Sequence, residues 1–244
     1  MASELSDLSD LSDFPAPHLA VDLVLLTICD GAIKALVTHR QDAPFAGMPV
    51  LAGSFVRPDE MLDDTARRVL AEKAGLAGLG VEQLYTFSAL GRDPRAWVVS
   101  VAYFAVVPCA GLTAAVNSAP HLSLMTVGAS TDGGVVDLRI DGEPVRLGFD
   151  HDAIIATALE RLRGKLDWSM VAFGLLEREF TLFELQRVHE IILGRSVNKP
   201  HFRKKMLGMT FADGRRLVAT GRLSRAGAHR PAELYRLGAG EGEQ

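Results

Sequence analysis

The segment LAGSFVRPDEMLDDTARRVLAEKAGL, residues 51–76, decides the reading of the first half of the chain. From Leu62 to Ala74 it sets Leu62, Ala66, Val69 and Leu70 at helical spacing, and Gly75 stands where a helix stops in the left-handed conformation. Upstream, HLAVDLVLLTICDGAIKALVTHR (residues 18–40) gives two β-rich runs separated by Asp30-Gly31, a short-hairpin signal. Downstream, AWVVSVAYFAVVP (96–108) reads as a strand, STDGGVVDLRIDGEPVRL (130–147) as a hairpin, and DHDAIIATALERLRGKL (150–166) as an amphipathic helix. Strands therefore precede, flank and follow one central helix, and a second helix closes a mixed α/β domain.

At 244 residues the chain has room for two such cores. No uninterrupted apolar run approaches the roughly 20 residues of a membrane span. The start, MASELSDLSDLSD, is acidic and repetitive, with neither a basic flank nor an apolar centre, and is expected to be a disordered tail and not a secretory signal. Cys29 and Cys109 are the only cysteines, both in apolar strand-like runs. They are expected to form neither a disulfide framework nor a metal site, as in a reducing cytoplasm.

The net charge of -4 hides a division. Residues 1–177 carry 13 Lys and Arg against 23 Asp and Glu, whereas residues 178–236 carry 13 against 5. A basic half attracts phosphates and releases their counterions, which points to a polyanionic partner; a solvated basic surface accounts for the charge alone equally well.

The pattern changes in that half. TLFELQRVHEIILG (181–194) opens with Thr181 and Glu184 in capping-box spacing, carries Leu182, Leu185, Val188 and Ile192 as one stripe, and ends at Gly194. After three residues, NKPHFRKKMLGM (198–209) starts with Asn198 as N-cap and Pro200 in the first turn. Helix, short turn, helix is the helix-turn-helix rhythm, and RRLVATGRLSRAGAHRPAELYRL (215–237) supplies a hairpin that serves as its wing. On the second helix Phe202, Met206 and Met209 face inward, leaving Lys199, His201, Arg203, Lys204 and Lys205 beside the capping Asn198 as candidate DNA donors. Arg222, Arg225, His229 and Arg230 of the wing are placed to reach the backbone or minor groove.

Residues 51–76 resemble the Nudix box, whose pattern is G-x5-E-x7-R-E-U-x-E-E-x-G-U with U apolar. Aligned on Glu60, Ser54 takes the opening Gly, Arg68 the Arg, Leu70 the first apolar position and Glu72 one of the paired Glu positions, followed by Gly75 and Leu76. At the two remaining acidic positions stand Val69 and Lys73. In Nudix hydrolases the glutamates share a helix face and bind the Mg²⁺ ions that neutralise a diphosphate. One carboxylate beside an ammonium is expected to lose that metal and the hydrolysis with it, while Lys73 remains able to pair with phosphate oxygens.

A Nudix-like domain followed by a winged helix resembles the NrtR family of Nudix-related regulators of NAD metabolism, as do RDPRAWVVSVAYFAVVP (92–108), LGFDHDAIIATALERLR (147–163) and NKPHFRKKML (198–207). The resemblance implies an α/β/α sandwich with a mixed sheet and a C-terminal winged helix-turn-helix. It also implies a cytoplasmic homodimer that binds an inverted-repeat operator, represses genes of NAD synthesis or salvage, and lets go when ADP-ribose or a related dinucleotide occupies the first domain. The expected divisions are an acidic tail over 1–15, a ligand-sensing domain over 16–166, a linker over 167–179, a DNA-binding domain over 180–238 and a tail over 239–244. Candidate ligand contacts are Arg40, Arg57, Arg68, Lys73 and Arg92 for phosphate or ribose, with Glu72 or Asp93 accepting hydroxyls. No catalytic residue, resident metal or cofactor is expected. The segment from Asp150 to Leu166 and the following linker are where ligand binding is expected to reach the DNA-binding half. The rival reading is an ADP-ribose pyrophosphatase with an accessory basic domain; a dinucleotide sensor that binds protein in place of DNA is a third.

Overall fold

Strand β1 (His18–Cys29) organises the first domain. From His18 to Leu26 it runs parallel to β6 (Val98–Val106), and on its other side it changes partner midway. Ala20 to Leu23 pair with β4 (Ala52–Phe55), Leu26 to Cys29 with β2 (Ala32–His39), both antiparallel. The tight β1–β2 connection uses left-handed backbone at Asp30 (φ 52°) and Gly31 (φ 74°), the pairing that matches the twist of a two-residue hairpin. The sheet continues to β5 (Glu82–Phe87) beyond β6, and beyond β2 to β7 (Leu122–Gly128), β8 (Asp137–Ile140) and β9 (Glu143–Pro144), with β3 (Pro49–Val50) also on β2. The structure, a computed structural model, describes residues 14–128, 136–224 and 231–238.

Alternation along β1 builds two layers of core. Val21, Leu23 and Leu25 face α1 (Leu62–Ala74) and α2 (Cys109–Ser118), packing with Ala66, Val69, Leu70 and Leu112. Val24 and Leu26 face the opposite way, with Phe104, against Ile154, Ala158 and Leu162 of α3 (His151–Lys165). Helices thus cover both faces of the mixed sheet, the expected α/β/α sandwich, and each fully buried leucine contributes about 2 kcal/mol of apolar transfer. Helix α1 has the bounds its spacing predicts, and Gly75 ends it at φ 67°.

The second unit comprises β10 (Phe180–Thr181), α4 (Leu182–Leu193), α5 (Lys199–Gly208), β11 (Leu217–Leu223) and β12 (Glu233–Leu237), its small sheet ordered β10-β12-β11. The capping box forms: Thr181 Oγ1 accepts from the Glu184 N–H at 3.1 Å, and the Glu184 carboxylate accepts the Thr181 N–H at 2.7 Å. Asn198 Oδ1 accepts from the His201 N–H at 3.0 Å and starts α5. The buried cluster under α3 runs on without a break through Leu185, Val188 and Ile192 of α4 to Phe202 and Met206 of α5, so the two units share one core.

Three segments differ from the sequence reading, and a fourth is described only in part. Helix α2 follows the strand read over 96–108 and had no expectation beyond Cys109, placed in a strand-like run: CAGLTAAVNS carries no charge and two of its ten residues are buried, Leu112 and Ala115, so its helical face shows only once packed on the sheet. Cys29 and Cys109, expected as free thiols, form a disulfide, because the adjacent ends of β1 and β6 bring their Cα atoms to 5.4 Å. Residues 167–179, expected as a linker, include a 3₁₀ helix over Val171–Leu175 with Ala172 and Leu175 buried and Gly174 seated on Val106 of β6. In the 130–147 hairpin the Asp141-Gly142 turn joins β8 to β9, while the Asp132-Gly133 turn lies outside the described residues.

Replacing Thr181 with Ala removes one half of the capping box. It should lower stability by about 1 kcal/mol, a fall of about 2–4 °C in the melting temperature of a chain this size. An unchanged melting curve would mean that tertiary packing alone holds the start of α4.

Candidate functional site: a charged cavity and a basic helix face

Where β1 exchanges β4 for β2 the sheet parts, and a cavity of about 450 Å³ opens over Ala20 and Asp22. Four cations line it: Arg40, Lys73, Arg92 and Arg95. Two are neutralised. Arg92, 4% exposed, donates to both carboxylate oxygens of Asp150 at 2.9 and 2.6 Å and lies 3.4 Å from Asp22, which also accepts from the Ser100 hydroxyl at 2.6 Å. Arg95 clasps Asp93 through Nε and Nη2 at 3.0 and 2.7 Å, and this fork holds the Asp93 carboxyl below the usual carboxylate range. Among the described residues the other two hydrogen-bond to backbone carbonyls alone: Arg40 donates to Pro44 O at 2.6 Å and Ala43 O at 3.4 Å, and Lys73 donates to Gly53 O. Burial, and then the charges of Arg40 and Arg68, push the Lys73 pKa down.

One wall of the cavity is aromatic. The guanidinium groups of Arg40 and Arg95 both lie over the Phe149 ring, at 5.2 and 5.7 Å, with Phe45 edge-on at 4.8 Å. Its backbone sits at φ 60°, uncommon for a bulky residue and a mark of a position held by its surroundings. Next to it His151 is buried, and its Nδ1 accepts from the Leu51 N–H at 2.9 Å. The ring proton is thereby left on Nε2, 3.6 Å from Asp22, and burial pushes the pKa down and keeps the ring neutral.

Of the ligand contacts expected from sequence, Arg40, Glu72, Lys73, Arg92 and Asp93 meet at this cavity. Arg57 and Arg68 do not. The Arg57 side chain is 57% exposed and turns to Glu60. Arg68 is consumed as a strut: it donates to both oxygens of Glu60 at 2.6 and 2.8 Å, to Ser54 Oγ at 3.3 Å and to Phe55 O at 3.2 Å. The hydrogen bond from Arg68 lowers the Glu60 pKa to about 2. Val69 points into the apolar core with no exposure, so it does not share a surface with Glu72 and Lys73 as the helical spacing implies. Asp22, Arg95, Phe149 and His151 escaped the sequence reading; the lone carboxylate inside LAVDLVLL was the one available signal, since a buried Asp needs partners.

The Mg²⁺ ions that the fold implies do not fit this donor set. Asp22 and Asp93 are committed to arginines, Glu72 is 55% exposed with Arg68 at 3.7 Å, and the Gly53 carbonyl is taken by Lys73. Among the described residues no group of three His, Cys, Asp or Glu side chains is placed to hold a metal.

In the second unit, Phe202 and Met206 are buried, whereas Lys199, His201, Arg203 and Lys204 are exposed along α5. Asn198 is occupied as the cap. Lys205 turns back to Asp167 at 2.5 Å, and Arg222 pairs with Glu179 at 2.9 Å, so both brace the unit as well as adding charge. Arg216 and Arg236 on the hairpin are also exposed, which the sequence reading passed over. Arg225, His229 and Arg230 lie outside the described residues.

His151 and His189 are both buried with pKa values pushed down by that burial. Their neutral forms contribute stability fully above the ordinary histidine value near 6.5, and it is lost as pH falls, by about 1.4 kcal/mol per pH unit for each proton taken up on unfolding. Urea unfolding at pH 7.5 and 5.5 should show this loss, shallower by one proton in His151→Asn; a midpoint insensitive to pH would contradict it.

The NrtR DNA-binding winged helix domain model matches residues 172–237. The chain is 31% identical over 228 residues to the ADPR responsive transcriptional repressor NtrR of Acinetobacter baylyi, covering 93% of this chain and 84% of that protein. Its fold matches the crystal structure of Shewanella oneidensis NrtR complexed with a 27mer DNA at a TM-score of 0.73, with 33% identity over 90% of this chain and 93% of that one. A MutT/nudix family protein of Enterococcus faecalis matches at a TM-score of 0.72, with 26% identity over 92% of this chain and 88% of that one. Sequence and fold agree over nearly the whole chain, and the chain belongs to the NrtR family.

Proposed function

We propose that the protein is a DNA-binding transcriptional repressor of genes for NAD synthesis or salvage, released from its operator when ADP-ribose or a related dinucleotide binds the cavity without being hydrolysed. The observation that carries this reading is the presence, in one chain with one continuous core, of a cavity holding two cations without carboxylate partners and a winged helix with an exposed basic face. The repressor of Acinetobacter baylyi is named for its response to ADPR, and the Shewanella protein is complexed with DNA.

The diphosphate lies between Arg40 and Lys73, with Arg92 behind it, and Glu72 or Asp93 takes sugar hydroxyls at the rim. Phe149 supplies an apolar wall against which a ring packs. Lys199, His201, Arg203 and Lys204 enter the major groove from α5, and Arg222, Arg225 and Arg230 follow the backbone from the wing. A two-fold inverted-repeat operator requires a homodimer whose recognition helices are spaced by about one helical turn of DNA. A repressor that acts on chromosomal DNA works in the cytoplasm. Hydrolysis is absent because Lys73 stands where a metal-binding carboxylate would be needed and Val69 is sealed in the core. The same two positions weigh against the pyrophosphatase reading.

Helix α3 supports a physical route between the sites. It begins at Asp150, bonded to Arg92 in the cavity wall, and near its far end Arg163 donates to the carbonyl of Ile192 in α4 at 3.1 Å. Fifteen residues of α-helix span about 22 Å, so a shift at Asp150 reaches α4 as a rigid displacement.

At fixed salt, the protein should retard a promoter fragment from its own genomic neighbourhood, ADP-ribose should abolish the shift, and chromatography should recover the nucleotide intact. Metal-dependent loss of ADP-ribose without specific DNA binding would make the chain an enzyme instead. Arg203→Ala with Lys204→Ala should weaken operator binding by about 1–3 kcal/mol per lost contact and reduce its salt dependence, leaving ADP-ribose binding intact. Unchanged DNA affinity in that double variant would remove α5 from the interface.

A further inference from the structure

Lys73 projects from α1 into the cavity wall and is tied there by Gly53 of β4. Gly53 lies opposite Asp22 in the β1–β4 pair, so close that a Cβ on it would stand 2.2 Å from Asp22 Oδ1. The ammonium is thus fixed at the seam where α1, β4 and β1 meet. Its bonded partner is a neutral carbonyl, and Asp22 nearby is already engaged by Ser100 and Arg92. Arg40, also bonded to carbonyls only, is near enough for its charge to push the Lys73 pKa down. Two cations that repel each other across a cavity are relieved by a divalent anion placed between them.

We propose that the Lys73 ammonium, tied to the Gly53 carbonyl, is a built-in cation that with Arg40 binds a diphosphate in the cavity and makes that binding independent of divalent metal. The inference rests on the ligand reading of the cavity above and deepens it. A divalent ion at the same seam would face the ammonium at close range, with Asp42 and Glu72, the latter 3.7 Å from Arg68, as the lining carboxylates not held by a hydrogen bond among the described residues, whereas Mg²⁺ takes an octahedron of oxygens. The lysine supplies charge without that shell. Unlike an exchangeable ion it is always present, so occupancy follows the nucleotide alone.

The test is calorimetric titration of the full chain with inorganic pyrophosphate and, separately, with ADP-ribose, each in EDTA and in magnesium. Wild type should bind no more tightly in magnesium than in EDTA. Lys73→Met should bind more weakly by about tenfold or more in both buffers, the loss of one charge-assisted contact. Lys34→Met, which removes a cation paired with Asp30 at the β1–β2 turn, should stay within about twofold of wild type. Melting curves establish that both variants are folded. The inference is overturned if magnesium tightens wild-type binding by about tenfold, if Lys73→Met binds like wild type, or if Lys34→Met weakens binding as much. Metal-independent, Lys73-dependent binding of pyrophosphate without binding of ADP-ribose would keep the built-in cation and remove the proposed effector; no binding of either would overturn both.

Discussion

The bidentate hydrogen bond from Arg92 to Asp150 is the constraint on which the arrangement turns. It anchors the start of α3 to the cavity wall, and its guanidinium also faces Asp22, the carboxylate at the point where β1 changes partner. Buried charges of this kind are stable only as a set, since removing one partner leaves another uncompensated at a cost of about 3–5 kcal/mol. The set comprises Arg92, Asp22, Asp150 and Ser100, with neutral His151 beside it. An anion entering the cavity meets this network directly, and α3 leads from it to the carbonyl end of α4. Because one apolar cluster continues from the sheet through α3 to α5, the basic helix α5 is packed on the same core as the cavity.

The exchanged carboxylates acquire a physical sense in this frame. Glu60 and Arg68 keep the loop from Ser54 to Glu60 folded onto α1, and their pairing holds Glu60 ionised far into acid. The box is therefore retained as architecture, apart from any chemistry. At position 69 a valine completes the core under α1, and at position 73 a lysine reaches back to β4. The cavity keeps its shape while its charge balance shifts toward binding anions.

Much of this was legible in the sequence where the signal is local. The bounds of α1, the Asp30-Gly31 turn, the capping box at Thr181 and the Asn198 cap are each set by a few neighbouring residues, and each stands where its pattern puts it. What escaped depends on contacts across the sheet. Helical spacing puts Val69 on a face with Glu72 and Lys73, but only the packing of α1 on β1 decides that position 69 is inside. Arg68 looks like a free cation until Glu60 folds back onto it, and Cys29 meets Cys109 only because β1 and β6 are parallel neighbours. Asp22 carried a signal, a lone acid in an apolar strand, but its partners lie some 70 to 130 residues away in Arg92, Ser100 and His151.

Coupling between cavity and DNA is a free energy shared by both ligands, so each must alter the affinity of the other by the same factor. The most direct measurement is the affinity for ADP-ribose, by calorimetry, with the protein free and with it saturated by operator DNA. The structure of one shared core predicts that operator DNA weakens ADP-ribose binding by the factor by which ADP-ribose weakens DNA binding. Equal ADP-ribose affinity in the two states would contradict it and leave cavity and basic helix as independent sites on one chain.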